Sequence, residues 1–149
     1  MIIFLDIDGV LATSKSIKTK RHYGYAFDQK CVEVLNNYIE KTKADVVISS
    51  TWRVHGLEGL KGIFKNEGVK CNIIGLTPKF KPIKMYAISC NGSRRGEEIK
   101  EWINRNAYTG DYIVIDDEIN DIKGLIPDDK IIWIKNGWHE RGLLDRHLK

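Results

Sequence analysis

The strongest constraint on how this chain folds is a set of short apolar, β-branched runs, each stopping at a polar side chain. Residues 2–6 (IIFLD) end on Asp6, residues 45–49 (DVVIS) end on Ser49, and residues 111–115 (DYIVI) lead directly into Asp116 and Asp117. Runs this short and this apolar suit strands buried on both faces. The stretches between them have helical spacing. Asp28 stands where an N-cap belongs, ahead of Cys31, Leu35, Tyr38 and Ile39 on one face. A glycine-punctuated helical piece is expected over 55–66, and Ile99, Trp102 and Ile103 give 97–106 one apolar face. Weaker strands are expected at 70–75 and 131–134, a breaker-rich loop at 76–92, and a closing helix over 138–148. Strands alternating with amphipathic helices predict an α/β fold around a parallel sheet. Such sheets form their sites at the carboxyl ends of the strands, so Asp6, Ser49 and Asp116 are expected to meet in one crevice.

The 149 residues suit one domain over 1–149, and 42% apolar with 30% charged residues is a globular balance that excludes the disordered class. The longest apolar run, residues 1–5, is far too short to span a bilayer and has no basic leader. No membrane association and a cytoplasmic location are therefore expected. Cys31, Cys71 and Cys90 form no CxxC pair, which argues against a disulfide frame or a zinc site.

Net charge is only +4, but its distribution is uneven. Residues 10–27 carry Lys15, Lys18, Lys20 and Arg21 and no acid; residues 76–96 carry Lys79, Lys81, Lys84, Arg94 and Arg95 and no acid. These two stretches hold nine of the 24 basic residues, which leaves the rest of the chain net acidic. Tyr23, Tyr25, Phe80 and Tyr86 are interleaved with them. Cations mixed with aromatics suit a phosphate backbone with bases to stack on; the competing reading is two solvated loops.

Asp6-Ile7-Asp8-Gly9 follows the first strand directly. Two carboxylates on one turn can divide labour, one as nucleophile and the other as general acid and then base. Asp116 and Asp117 bring a second acidic pair, with Glu118 and Asp121 close by. That many carboxylates in one crevice call for a hard divalent cation with oxygen ligands, Mg²⁺ above all. An anionic substrate also needs donors: Ser49, with Ser50 and Thr51 in reserve, and a cation from Arg95, Arg94 or Arg53. His22, His55, His139 and His147 show no ligand spacing, and Trp52, Trp102, Trp133 and Trp138 read as core or interface residues.

In this order these residues resemble the four motifs of the haloacid dehalogenase-like (HAD) phosphohydrolases. FLDIDGV is similar to the first motif, VVISS to the second, SRRGEEIKEW to the third and VIDDE to the fourth, so the resemblance spans residues 2–118. It implies a Rossmann-like three-layer α/β/α fold with a parallel sheet. It implies Asp6 as the phosphorylated nucleophile, Asp8 as general acid/base, Ser49 or its neighbour Ser50 as the phosphate-binding hydroxyl, and Arg95 or Arg94 as the phosphate-binding cation. Mg²⁺ would be held by Asp6, the Asp8 backbone carbonyl, Asp116 and Asp117. DIDGVL, ISSTWR and RRGEEIKEW more narrowly resemble the small HAD domains of nucleic-acid repair proteins. The segments where other HAD enzymes insert a cap are short here, about 18 residues after Gly9 and residues 76–93, so no sizeable cap domain is expected.

The expected activity is a Mg²⁺-dependent phosphomonoesterase on terminal phosphates of nucleic acid, the 3′ end preferred. Lys15, Lys18, Lys20, Arg21, Lys79, Lys81 and Lys84 would track the strand, and Ser50, Arg53 and Arg94 would contact substrate. Rival readings are a phosphatase of free nucleotides or other small phosphate esters, and a weakly catalytic nucleic-acid-binding module.

Overall fold

The structure is a computed structural model that describes residues 1–23, 26–81 and 94–149, with side chains through Lys18 in the first segment. Its sheet has five parallel strands: β1 (Ile2–Leu5), β2 (Asp45–Ile48), β3 (Ile73–Leu76), β4 (Tyr112–Asp116) and β5 (Ile131–Trp133), in the order β3-β2-β1-β4-β5. The α-helices are α1 (Ser14–Tyr23), α2 (Gln29–Thr42), α3 (Gly56–Asn66) and α4 (Arg95–Arg105).

Alternation along the strands builds two cores. Ile3 and Leu5 of β1 and Val46 and Ile48 of β2 pack on one face with Cys31, Leu35 and Ile39 of α2 and Leu60 and Phe64 of α3. Ile2, Phe4, Val47 and Val114 point to the other face, where Ile99 and Trp102 of α4 meet Ile119, Ile122 and Ile126. Phe4 is wholly buried and takes Trp102 and Tyr112 edge-on, with ring centroids 5.5 and 5.7 Å away. A helix-sheet-helix sandwich with no cap among the described residues results. The central strand is buried on both sides, which is why its sequence is an unbroken apolar run.

Two sequence expectations need correction. Residues 10–27 are not a basic loop, because α1 occupies Ser14–Tyr23. Its start is tied by a reciprocal pair in which Ser16 N donates to Thr13 Oγ1 (3.2 Å) and Thr13 N donates to Ser16 Oγ (2.8 Å). This works as a capping box with serine in place of the usual Glu or Gln. A buried carboxylate then fastens the chain after α1: Glu67 accepts from the backbone of Ala26 and Phe27 at 2.9 and 3.0 Å. The second correction is at the end, where 138–148 is no helix. Turns there include Asn136 and Gly142 with left-handed φ of 57° and 64°, followed by a one-turn 3-10 helix at Asp145–His147. This segment is held by the chain that follows β1 instead of by its own ladder. Ser14 N donates to Trp138 O and Leu143 N to Val10 O, both at 2.9 Å.

Asp28 caps α2 as expected, its side chain accepting from Lys30 N at 2.9 Å. Burial pushes the thiols of Cys31 and Cys71 up to about 12, so both stay protonated and unreactive at neutral pH. No helix among the described residues is long and apolar enough to cross a membrane.

Candidate active site

Register brings the site together. Leu5 pairs with Ile48 on one side and Ile115 on the other, so the next residues, Asp6, Ser49 and Asp116, lie side by side at the carboxyl ends of the strands. Beyond β1 the chain turns sharply. The Ile7 carbonyl accepts from Val10, Leu11 and Ala12 N at 2.9–3.2 Å, and Gly9 adopts φ +73°. Gly9 has a second constraint: a Cβ there would collide with the Asp117 carboxylate. The turn therefore needs glycine for its conformation and for the approach of the second acidic pair.

Oxygens of Asp6, Asp116 and Asp117 all lie within 4.8 Å of one another. Arg95, 8% exposed, is the counter-charge, with Nη1 at 3.1 Å from Asp6 Oδ2 and 2.7 Å from Asp116 Oδ2. Asp121 explains how Arg95 is aimed. Its carboxylate accepts from Arg95 N at 2.9 Å and fixes the first residue of α4, while its carbonyl lies so close to Gly96 that a Cβ there would clash. Arg94, one residue earlier, points elsewhere, chelating Glu97 and stacking over Phe80 at 4.9 Å.

Arg53 is committed to structure as well. Its Nη1 reaches Glu98 (2.8 Å), Thr77 Oγ1 (2.7 Å) and Pro78 O (2.9 Å), and its Nε reaches Ser50 O (2.6 Å). The 77–80 segment is pinned by this buried pair, since Phe80 N also donates to Glu98 at 3.0 Å.

At the end of β2 the two serines part ways. The Ser50 hydroxyl acts on the Asp6 carboxylate and favours its charged form. The Ser49 hydroxyl is buried with no partner among the described residues. On geometry, Ser50 is the hydroxyl beside Asp6.

Asp8 sits in a different setting. Trp52, expected from the sequence to be a core or interface residue, donates from its indole Nε1 to Asp8 Oδ1 at 2.9 Å, and Thr51 Oγ1 lies 3.5 Å from Oδ2. Phe27 braces the indole edge-on at 5.6 Å. The clue to Trp52 in the sequence is its place two residues beyond Ser50; nothing in its hydrophobicity signals a hydrogen bond.

Lys15, Lys18, Lys79 and Lys81 are exposed. Lys84 lies outside the described residues, as do the side chains of Lys20 and Arg21.

Electrostatics make this cluster incomplete on its own. Burial pushes the Asp6 carboxyl up despite the opposing pull of Arg95 and Ser50. Burial and the Asp6 charge push Asp116 well above the ordinary range and Asp117 to about 7. One guanidinium does not offset three crowded carboxylates, and its own buried Nε lacks an acceptor among the described residues. An all-oxygen donor set that resists ionising fits a hard divalent cation, and the open Nε fits an anion oxygen.

No curated protein and no solved structure matches this chain. One family model does, across residues 2–145: the HAD domain in Swiss Army Knife RNA repair proteins. The match runs from the first residue of β1 past Leu143, which bonds back to Val10. With a parallel sheet presenting Asp6, Asp8, Arg95, Asp116 and Asp117 at one edge, the chain belongs to the HAD-domain family found in Swiss Army Knife RNA repair proteins, a family of the HAD phosphohydrolase type.

Proposed function

We propose that this protein is a Mg²⁺-dependent phosphomonoesterase that removes terminal phosphates, 3′ in preference to 5′, from nucleic acid. The observation that carries the chemistry is the contrast between Asp6 and Asp8: one carboxylate buried against a guanidinium, the other held by an indole two residues along the same turn. An Asp6 oxygen attacks phosphorus, and the bond to the leaving alkoxide breaks as Asp8 supplies that oxygen's proton. Water then attacks the aspartyl-phosphate, Asp8 takes its proton, and inorganic phosphate departs with Asp6 restored. Ser50 and the open Nε of Arg95 hold phosphoryl oxygens. Asp6, Asp116 and Asp117 would hold the Mg²⁺, which when bound offsets charge on the transferring phosphoryl group.

The nucleic-acid substrate is supported by the family of RNA repair proteins and by the absence of a cap among the described residues. Exposed Lys15, Lys18, Lys79 and Lys81 add to that support. The deciding experiment is phosphate release from a 3′-phosphorylated oligonucleotide against the corresponding 3′-mononucleotide. The expected result is a marked preference for the oligonucleotide, with inhibition by salt that a small aryl phosphate does not share. Equal or faster turnover of the mononucleotide would assign the enzyme to free nucleotides.

Trp52→Phe should separate positioning of Asp8 from packing. Proton delivery matters most when the leaving group is a poor one, so the variant should lose about tenfold in kcat on an alkyl phosphate. On p-nitrophenyl phosphate it should lose little. Equal losses on both would mean that the indole only fills space.

Metal binding has a pH signature. Asp116 and Asp117 bind protons more tightly folded than unfolded, so their contribution favours the fold at low pH. The Asp117 part is lost as pH rises through about 7, and the Asp116 part as pH rises through its own raised value. Metal-free protein should therefore melt lower at pH 8 than at pH 5. Mg²⁺ at about 100 times its Kd should raise Tm by about 5–10 °C at pH 8 and by much less at pH 5. A pH-independent increment would argue against these carboxylates as the ligands.

A further inference from the structure

Beside the catalytic turn lies a second feature that the motifs do not account for. Residues 135–147 and Lys15 enclose a pocket of about 450 Å³. Lys135, Arg141 and Arg146 line it, all exposed, and none is ion-paired with a carboxylate among the described residues. Glu140 is the one acid in the lining, so a concave surface with this charge favours an anion.

The pocket is joined to the active site by covalent and hydrogen-bonded connections. Its wall at Gly137 abuts the Gly9 carbonyl so closely that a Cβ would not fit, and Gly142 is packed in the same way against Val10 O. Ile134 N, one residue before Lys135, donates to Asp116 O at 2.9 Å. Between pocket and acidic cluster stands Trp133, 43% exposed at the end of β5. Its indole N–H donates to the Asp117 carbonyl at 3.0 Å, and Lys123 and Lys135 lie 5.5 and 5.7 Å from its ring. Lys135 thus belongs to both the ring's surroundings and the pocket.

We infer that Trp133 and the pocket lined by Lys135, Arg141 and Arg146 bind a single-stranded polynucleotide, a base stacking at the indole and an internal phosphate entering the pocket. This rests on the proposed function in placing the terminal phosphate at Asp6. An indole flanked by lysines and followed by guanidiniums is the chemistry that holds a strand without reading its sequence. It also gives the strand a direction, from Asp117 past Trp133 toward Arg146, on the opposite side of the sheet's midline from Lys79 and Lys81.

The test uses the double variant Arg141→Gln/Arg146→Gln and the single variants Lys135→Ala and Trp133→Ala. Turnover of a 3′-phosphorylated RNA oligonucleotide, expressed as a ratio to turnover of an aryl phosphate, should fall about tenfold in the double variant and in Trp133→Ala. The salt dependence of oligonucleotide KM should flatten by about 0.7 in log-log slope for the one single-strand phosphate lost from the pocket. A second arm needs no catalysis: fluorescence anisotropy of a labelled RNA oligonucleotide ending in a 3′-hydroxyl, which should bind wild type and bind each variant more weakly. If wild type binds this RNA and the variants do not, yet no oligonucleotide is dephosphorylated, the pocket stands and the phosphatase reading fails. If the oligonucleotide is dephosphorylated with ratio, slope and Kd all unaffected by the variants, the pocket assignment alone is overturned. A polyglutamate peptide that competes as well as RNA would overturn it in favour of an acidic protein segment.

Discussion

Asp6→Asn should abolish phosphate release, by about 10⁴-fold or more, the scale on which removing a member of a nucleophilic unit acts. The substitution keeps the side chain's shape and removes its charge and nucleophilicity. Its effect on stability should run the other way. Asp6 and Asp116 share Arg95 Nη1, and the Asp6 charge raises the pKa of both Asp116 and Asp117. Asparagine at position 6 relieves that repulsion while Arg95 keeps Asp116. Metal-free Asp6→Asn should thus melt no lower than wild type at pH 8, and Mg²⁺ should raise its Tm less. Near-wild-type turnover by a folded variant would exclude Asp6 as the nucleophile, and a collapse in Tm would mean that its carboxylate is part of the scaffold.

Arg95→Met should be damaging in both respects. Methionine keeps much of the volume between α4 and the strand ends but strands two buried carboxylates without their cation. Breaking a buried pair in this way costs about 3–5 kcal/mol. The loss should be largest at pH 8 and shrink toward pH 5, where Asp116 and Asp117 can take up protons in place of the missing charge. Turnover should fall by about 10²–10³-fold, as for removal of one donor from a developing charge. Denaturant melts at the two pH values, with Arg94→Met as the comparison, make the measurement. Arg94 is paired with Glu97 at the surface, where solvent screens the pair, so its loss should cost far less than that of Arg95. Equal effects of the two substitutions would remove the distinction between them.

How far the sequence reveals this molecule depends on which physical signal each element carries. The strands were readable because burial on both faces leaves an uninterrupted apolar run, and the acids were readable because each ends such a run. Helix α1 was hidden: it is polar along its length, and its start is a Thr-Ser exchange without the usual acid. The 138–148 segment misled in the opposite sense. Trp138, Leu143, Leu144 and Leu148 have apolar spacing compatible with a helix, but Gly142 takes a left-handed turn against Val10 O, and the burial of Leu143 comes from tertiary contact. Ser49 against Ser50 turns on one residue of register where the strand ends, which periodicity does not fix. Arg53 and Trp52 show the same limit. Arg53 was read as a substrate contact and Trp52 as a core or interface residue; nothing in the sequence signals that Arg53 pairs with Glu98 under the 77–80 segment, or that Trp52, packed against the core, also donates to Asp8.

The binding of the 137–143 turns to the loop after β1 has a consequence for synthesis. Asp6 and Asp8 are made well before the residues that close their loop, Gly137, Trp138 and Leu143, and β1 lacks its β4 neighbour until residue 116 is available. On the ribosome, with the chain lengthening by about 5–20 residues per second, the loop emerges ahead of its partners and waits for them. A nascent chain therefore carries Asp6 and Asp8 in an unformed loop until residues 137–143 have emerged to close it.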